Sequence, residues 1–444
     1  MDEKSDVASR YPNRAFGTFS VPGFSVILGG RQFPHSADGE PPMNDSATRP
    51  PLDGVKVLDL SNYLAGPLTT MFLADYGAEV IKIEHPRGGD GMRMWGHNKN
   101  GVGLYFKVIN RNKKSVTLDL HTPFGVRAVK ALTQEADVVV ENFRPGVLDK
   151  WGIGYETLSA LNQGIVMLSI TGFGQTGPYR DRPGFGSLAE GYAGFAHING
   201  HADGPPLSPS WGLGDSTTGI GAAFLVMAAL FERERRGGAG QRIDMSIYEQ
   251  LFTMLGPQVI DYDQLGIIQG RDGSRLAFAV PRNNFKTRDG KWVLIAGSNQ
   301  SIFENICRGL GREDLIADPR FSDNRARMEN PAALEEEIQE TVRIFTLDEV
   351  MSRLVAAGGA ATPINDVRMV IEDPQVIARE NIARVPDKEL GGEVRMQNVA
   401  GKLSRTPGRI RHAGPRLGEN NREILIERLG FSEEEIRGEG LDAG

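Results

Sequence analysis

The run Val55-Lys56-Val57-Leu58-Asp59-Leu60 is followed by a helical stretch over 67–76 and then by Glu79-Val80-Ile81-Lys82-Ile83-Glu84. The two runs are short, apolar and rich in β-branched residues, as buried strands are. Pro67 lies at the first turn of the intervening helix and Gly77 past its end, the ordinary start and stop signals. Together they spell one β–α–β unit. The pattern continues outward. Ser115 to Leu120 reads as a strand, Thr122-Pro123 opens a helix to about Glu135, and strands are expected at Asp137–Glu141 and Ile165–Ile170. Strands alternating with helices imply a parallel sheet covered on both faces, with ligands at the carboxyl ends of its strands. Those ends carry Ser61-Asn62-Tyr63-Leu64, His85 to Asp90, Asn142 to Gly146, and Gly172-Phe173-Gly174.

At 444 residues the chain exceeds one compact core, so two domains are expected. A net charge of −7 argues against a general nucleic-acid binder. Cys307 is the only cysteine and reads as a buried, inert helix residue, which fits a reducing, cytoplasmic setting. No stretch reads as a membrane span, and no basic and apolar leader opens the chain. Residues 1–51 are punctuated by proline and polar residues and are expected to be a poorly ordered extension. Met43, just before the first strand, stands where an alternative start would fall. A large domain is expected over 52–255, a linker over 256–275, and a small domain over 276–370. Residues 371–444 are expected to return to the large domain.

Asp215 is the chief candidate for chemistry. It lies in Leu213-Gly214-Asp215-Ser216-Thr217-Thr218-Gly219, ahead of an apolar helix over 216–236 that ends in Arg233, Glu234, Arg235, Arg236 and Gly237. The simple reading is a helix N-cap. The same place suits a nucleophile, because a helix N-terminus favours the ionised carboxylate, which can attack an acyl carbon. Gly172-Phe173-Gly174-Gln175-Thr176-Gly177 matches a dinucleotide fingerprint, but Pro178 and Pro183 follow where a helix should open. Those glycines suit a loop passing close to another backbone or a ligand. His197 and His201 have no acidic or cysteine partner, so no metal site is expected. Asn110-Arg111-Asn112-Lys113-Lys114-Ser115 reads first as a solvated basic loop, and second as a phosphate contact.

In this order and spacing the pieces resemble the family III CoA-transferases and the related α-methylacyl-CoA racemases over about residues 52–430. They are Asp59-Leu60 through Ala65-Gly66-Pro67, Gly77 to Glu84, Asn112 to Leu120, Glu141 to Gly146, Gly172 to Pro178, Arg182 to Phe185, Gly214-Asp215 and Gly240-Gln241. The resemblance implies a Rossmann-like large domain, a smaller α/β domain, and an interlocked ring-like homodimer. It implies Asp215 as nucleophile. It implies coenzyme A contacts from Tyr63, Leu64, His85, Leu118, His121, Asn142, Phe143, Lys150 and Phe185. An acyl-CoA thioester and a small carboxylic acid would be the substrates, with no resident cofactor or metal, no nucleic acid and no membrane. His85 and His121 stand where the family often has arginine and lysine, Gly186 where an acidic residue is common, and Glu190 where glutamine is usual. Racemization is the alternative; the racemases carry a histidine base where this chain has Phe185, which cannot take a proton. A lid over the site is sought at Gly297-Ser298-Asn299-Gln300 or Gly270-Arg271-Asp272-Gly273.

Overall fold

The computed structural model describes residues 18–21, 24–27 and 49–441. Most of the expected N-terminal extension, 1–51, lies outside them; within it Thr18–Val21 pairs antiparallel with Phe24–Ile27. The large sheet has six parallel strands: β1 (Lys56–Asp59), β2 (Glu79–Glu84), β3 (Lys113–Thr117), β4 (Val138–Glu141), β5 (Val166–Thr171) and β6 (Arg242–Ser246). Their spatial order is β6-β5-β4-β1-β2-β3, so the order reverses between β1 and β4. A crevice opens outside the carboxyl ends of the strands at such a point.

Period-two alternation sends neighbouring apolar residues to opposite faces. Val57, Val80, Val138 and Val140 pack under helices α1 (Ala65–Asp75) and α4 (Leu213–Arg236), whose Ala74, Ala222 and Val226 meet them. Leu58, Ile81, Val139 and Met167 pack on the other face under α2 (Pro123–Thr133), capped by the Thr122 hydroxyl. Between α2 and α4 lies the short α3 (Gly186–Tyr192), and β6 leads into α5 (Ile247–Thr253). The expected linker contains a helix, α6 (Gln258–Leu265), none of whose residues is buried. A second core follows. The antiparallel strands β7 (Arg282–Lys286), β8 (Trp292–Ala296) and β9 (Ala361–Pro363) carry α7 (Gln300–Leu310), α8 (Pro331–Val342) and α9 (Leu347–Ala356). Cys307 is inside it, its thiol pushed up to about 12 by burial.

The C-terminal segment re-enters the large sheet. Asn420 accepts from the Ser115 N–H at 3.0 Å and donates its own N–H to the Ser115 carbonyl at 2.9 Å; Asn421 accepts from the Thr117 N–H at 2.8 Å. Thus edge strand β3 is closed by two asparagine side chains and one backbone N–H in place of another strand. Ile424, Leu425, Ile436 and Leu441 then complete the core beneath α2.

Two expectations change here. The turn 110–115 is neither a solvated loop nor a phosphate contact. Arg111, Lys113 and Ser115 are buried: Arg111 grips Asp75, Lys113 reaches Asp59 at 3.0 Å, and Asn112 meets the backbone of Arg411 and His412. The returning segment covers a turn that looks exposed in isolation. And α4, 24 residues long with an 18-residue window of mean hydropathy 1.4, is long and apolar enough to cross a membrane by length and composition. One face of it is packed on α1 and the sheet.

Candidate active site

The helix carrying Asp215 begins at Leu213, with Gly212 in the capping position. Asp215 therefore sits inside the first turn and is not the N-cap. Gly212, Gly214 and Gly186 surround it. A Cβ at Gly186 would collide with the Asp215 carboxylate, and one at Gly214 would lie 2.7 Å from the Gly186 carbonyl. Only a chain bare of side chains lets α3 and α4 begin this close together. Gly172 and Gly184 cross backbone to backbone in the same way just upstream, which is the role of that glycine-rich loop.

Burial pushes the Asp215 carboxyl up to about 6, with the Gly186 backbone pulling it down and the charge of Glu190 adding to the rise. Burial thus outweighs the helix end, against the expectation of a stably ionised group. At neutral pH the group is still mostly ionised, and a more basic carboxylate is a better nucleophile. Glu190 is buried and holds the start of α4 by accepting the Gly214 N–H at 3.1 Å. Tyr105 is held above its usual value by burial and by the charge of Asp215, which places the phenol within electrostatic reach.

Facing Asp215 is the loop after β1. Leu64 is buried against Gly212. Tyr63 adopts a positive φ of 65°, a region costly for a side chain of its size, and stays there because its neighbours are gripped. Its N–H donates to Asp90 at 2.8 Å; Lys82 donates to the Ser61 carbonyl at 2.7 Å and pairs with Asp90 at 2.8 Å. Asn142, at the end of β4, accepts the Asn62 N–H at 2.8 Å and donates to the Asn62 carbonyl at 2.7 Å, tying the two sides of the crevice. Beneath lies Asp59, fully buried. Burial would raise it, but Lys113, Lys82 and the hydroxyls of Ser61 and Thr70 hold it well below the usual carboxylate range. Tyr63 meets Trp95 edge-on at 5.6 Å, and Trp95 stacks on Tyr105 at 6.4 Å, giving a half-open aromatic wall beside Asp215.

The remaining expected ligand residues separate into groups. His85 and His121 share the carboxylate of Asp119, at 3.6 and 2.8 Å; His121 then meets Trp151, which meets Phe143. This patch lies at the carboxyl ends of β2, β3 and β4, and Lys150 is exposed next to Trp151. Leu118, 1% exposed, belongs to the core, so its side chain cannot touch a ligand. Phe185 is exposed immediately before Gly186. Of the two lid candidates, Asn299 caps α7, and the 270–273 loop leans on residues 197–201 through Arg271 and Gly273. Among the described residues no group of His, Cys, Asp and Glu could hold a metal ion.

Sequence reasoning did not single out Trp95, Tyr105, Asp119 or Trp151. Only the adjacency of Trp151 to Lys150 and of Asp119 to Leu118 hinted at two of them.

Residues 52–421 match CoA-transferase family III. The chain is 43% identical over 394 residues to the succinyl-CoA–D-citramalate CoA-transferase of Chloroflexus aurantiacus, covering 88% of this chain and 98% of that protein. It is 36% identical to the succinate–glutarate CoA-transferase of Agrobacterium fabrum, covering 87% and 98%. The crystal structure of a CAIB/BAIF family protein from Brucella suis superposes with a TM-score of 0.76 at 34% identity, covering 86% of this chain and all of the other.

Proposed function

Because the chain belongs to CoA-transferase family III, we propose that it moves coenzyme A from an acyl-CoA to a small carboxylic acid, with Asp215 as the nucleophile. The observation that carries this reading is a basic, mostly ionised carboxylate in a glycine cradle at a helix start, facing the switch-point crevice of a parallel sheet. The named relatives favour succinyl-CoA as donor and a dicarboxylic acid as acceptor.

The Asp215 carboxylate attacks the donor thioester carbonyl. The C–S bond breaks, coenzyme A leaves as thiolate, and a mixed anhydride remains. The thiolate attacks the aspartyl carbonyl, giving an aspartyl thioester and releasing the donor acid. The acceptor carboxylate attacks that thioester, and the thiolate then takes the acceptor acyl group, restoring Asp215. No proton need be moved, so the site needs basicity and dryness more than an acid–base pair. Tyr63, set in place by the buried Leu64, holds the pantetheine end; His85, His121, Asn142, Phe143 and Lys150 face the nucleotide. Phe185 has no basic group to take an α-proton, so racemization lacks the base it requires.

The exposed faces of α4 (Ile220, Phe224, Met227, Phe231) and α6 (Val259, Ile260, Tyr262, Leu265) support a homodimer in which a second copy covers them. Interlocking of the two chains belongs to the same proposal.

The test is hydroxylamine trapping during turnover with succinyl-CoA, followed by peptide mass spectrometry. An adduct at Asp215, lost together with transfer in Asp215→Asn, is expected. Substantial transfer by the folded Asp215→Asn protein would end the covalent mechanism.

A further inference from the structure

Glu190 lies one helical turn after Gly186 on the same face of α3, so its carboxylate points toward the start of α4. It is 1% exposed. One oxygen, Oε1, accepts the Gly214 N–H. The other, Oε2, is buried and has no hydrogen-bond partner among the described residues. Buried carboxylate oxygens are ordinarily bonded, because leaving one unpaired forfeits the hydration it had in water. Its charge is felt by Asp215. An unpaired acceptor beside the reacting carboxylate therefore calls for a donor carried by the ligand.

The chemistry narrows that donor. A carboxylate has no proton to give at neutral pH, and a second negative charge against Glu190 would be repelled. An aliphatic chain gives nothing either. A hydroxyl group donates, is neutral, and is small. Once Asp215 carries an acyl or thioester group it loses its charge, and Glu190 remains as an acceptor next to it.

We propose that Glu190 is a specificity-determining residue that accepts a hydrogen bond from a hydroxyl group of the acceptor, making hydroxylated acids the preferred acceptor class. This rests on the reading of Asp215 as the nucleophile of transfer to an acid. Selection comes from the unhydroxylated analogue leaving Oε2 unpaired, as at present. A hydrogen bond to a charged acceptor corresponds to a preference of roughly 10- to 100-fold.

The experiment measures kcat/KM with succinyl-CoA for two matched pairs, citramalate against methylsuccinate and 2-hydroxyglutarate against glutarate, in the wild-type protein and in Glu190→Gln. The amide keeps an oxygen for the Gly214 N–H, and its Nε2 donates to the hydroxyl oxygen, a neutral bond weaker than the one to a carboxylate. The wild-type protein is expected to favour the hydroxylated member of at least one pair by tenfold or more, and the ratio is expected to fall severalfold in Glu190→Gln as the charge-assisted bond is replaced by a neutral one. Equal use of both members by the wild-type protein would overturn the inference, as would an unchanged ratio in Glu190→Gln. If the variant turns over too slowly, the same acids are compared as competitive ligands on the folded proteins, with the same two readings. Failure of the parent mechanism shows separately, as the absence of an Asp215 adduct, and would carry this inference with it.

Discussion

Replacing Asp215 by Asn should make the protein more stable at neutral pH while abolishing its chemistry. Folding raises this carboxyl from an ordinary 3.8 to about 6, with burial as the leading cause. The native state thus holds the proton more tightly than the unfolded chain. The group's stabilising contribution is complete below the unfolded value and is lost as pH rises through the folded one. At about 1.4 kcal/mol for each tenfold change in proton affinity, the ionised side chain costs the native state up to about 3 kcal/mol above pH 7. The carboxylate keeps a partial opening to solvent, so screening reduces this to about 2 kcal/mol. Asn is of the same size, still accepts from the Gly186 backbone, and does not titrate. With an unfolding entropy of about 2.1 cal/mol/K per residue over this chain, the gain is a Tm higher by about 2–3 °C. Thermal unfolding of both proteins from pH 4.5 to 8 checks it. The gap should be smallest at the acid end, widen between about pH 4 and 6, and be nearly constant above pH 7. A gap that is absent at pH 8, or equally large at both ends, would mean that the charge is not desolvated as described.

Other consequences can be measured in parallel. Transfer catalysed by the wild-type protein should fall as pH drops through about 6, following protonation of Asp215, and a flat profile from pH 7.5 to 5 would contradict this. Asp90→Ala strips Lys82 of a partner 2.8 Å away inside the protein and frees the Tyr63 N–H; a loss of about 3–5 kcal/mol is expected in urea unfolding, and a loss under 1 kcal/mol would disprove the pairing. His121→Lys, replacing a titratable ring by a permanent cation, should lower KM for acyl-CoA by roughly threefold, the worth of one exposed charge pair; no change would remove His121 from the nucleotide side. A threaded dimer should stay dimeric by sedimentation at nanomolar concentration, whereas folded monomer in rapid exchange would refute threading.

Five strands of the large sheet were legible because each sits between a helix stop and a turn in a short apolar run; β6 was not, because Arg242 and Asp244 are exposed and break its apolar pattern. Thr122 caps the expected helix α2. Less legible were features fixed by partners far away in sequence. Arg111 and Lys113 carry charge in a turn-like run, and nothing local says that Asp75 and Asp59 wait inside, or that residues 409–412 close over them. The start of α4 was placed three residues late because Gly212 and Gly214 are weak helix formers and Asp215 reads as a cap; packing against α3 holds the first turn. Asp215 was found as a position but its basicity was not, since desolvation depends on Gly186 and Glu190 arriving from another helix. Glu190 was marked in the sequence only as standing where the family usually has glutamine; its burial comes from tertiary packing and was not legible.

The closing of β3 by Asn420 and Asn421 also fixes an order of events in the cell. Chains emerge from the ribosome amino end first, and domains generally fold as they emerge. Here the strands of the sheet are made within the first 246 residues, but the cover for its edge and for the α2 face comes from the last twenty-odd described ones. Until residues 420–441 emerge, the nascent sheet presents a raw edge and an apolar face while the whole second core is being translated. The capture of residues 420–441 therefore comes after the second core is made, and a stop codon ahead of them would leave a protein with its chemistry encoded and a core of its large sheet open.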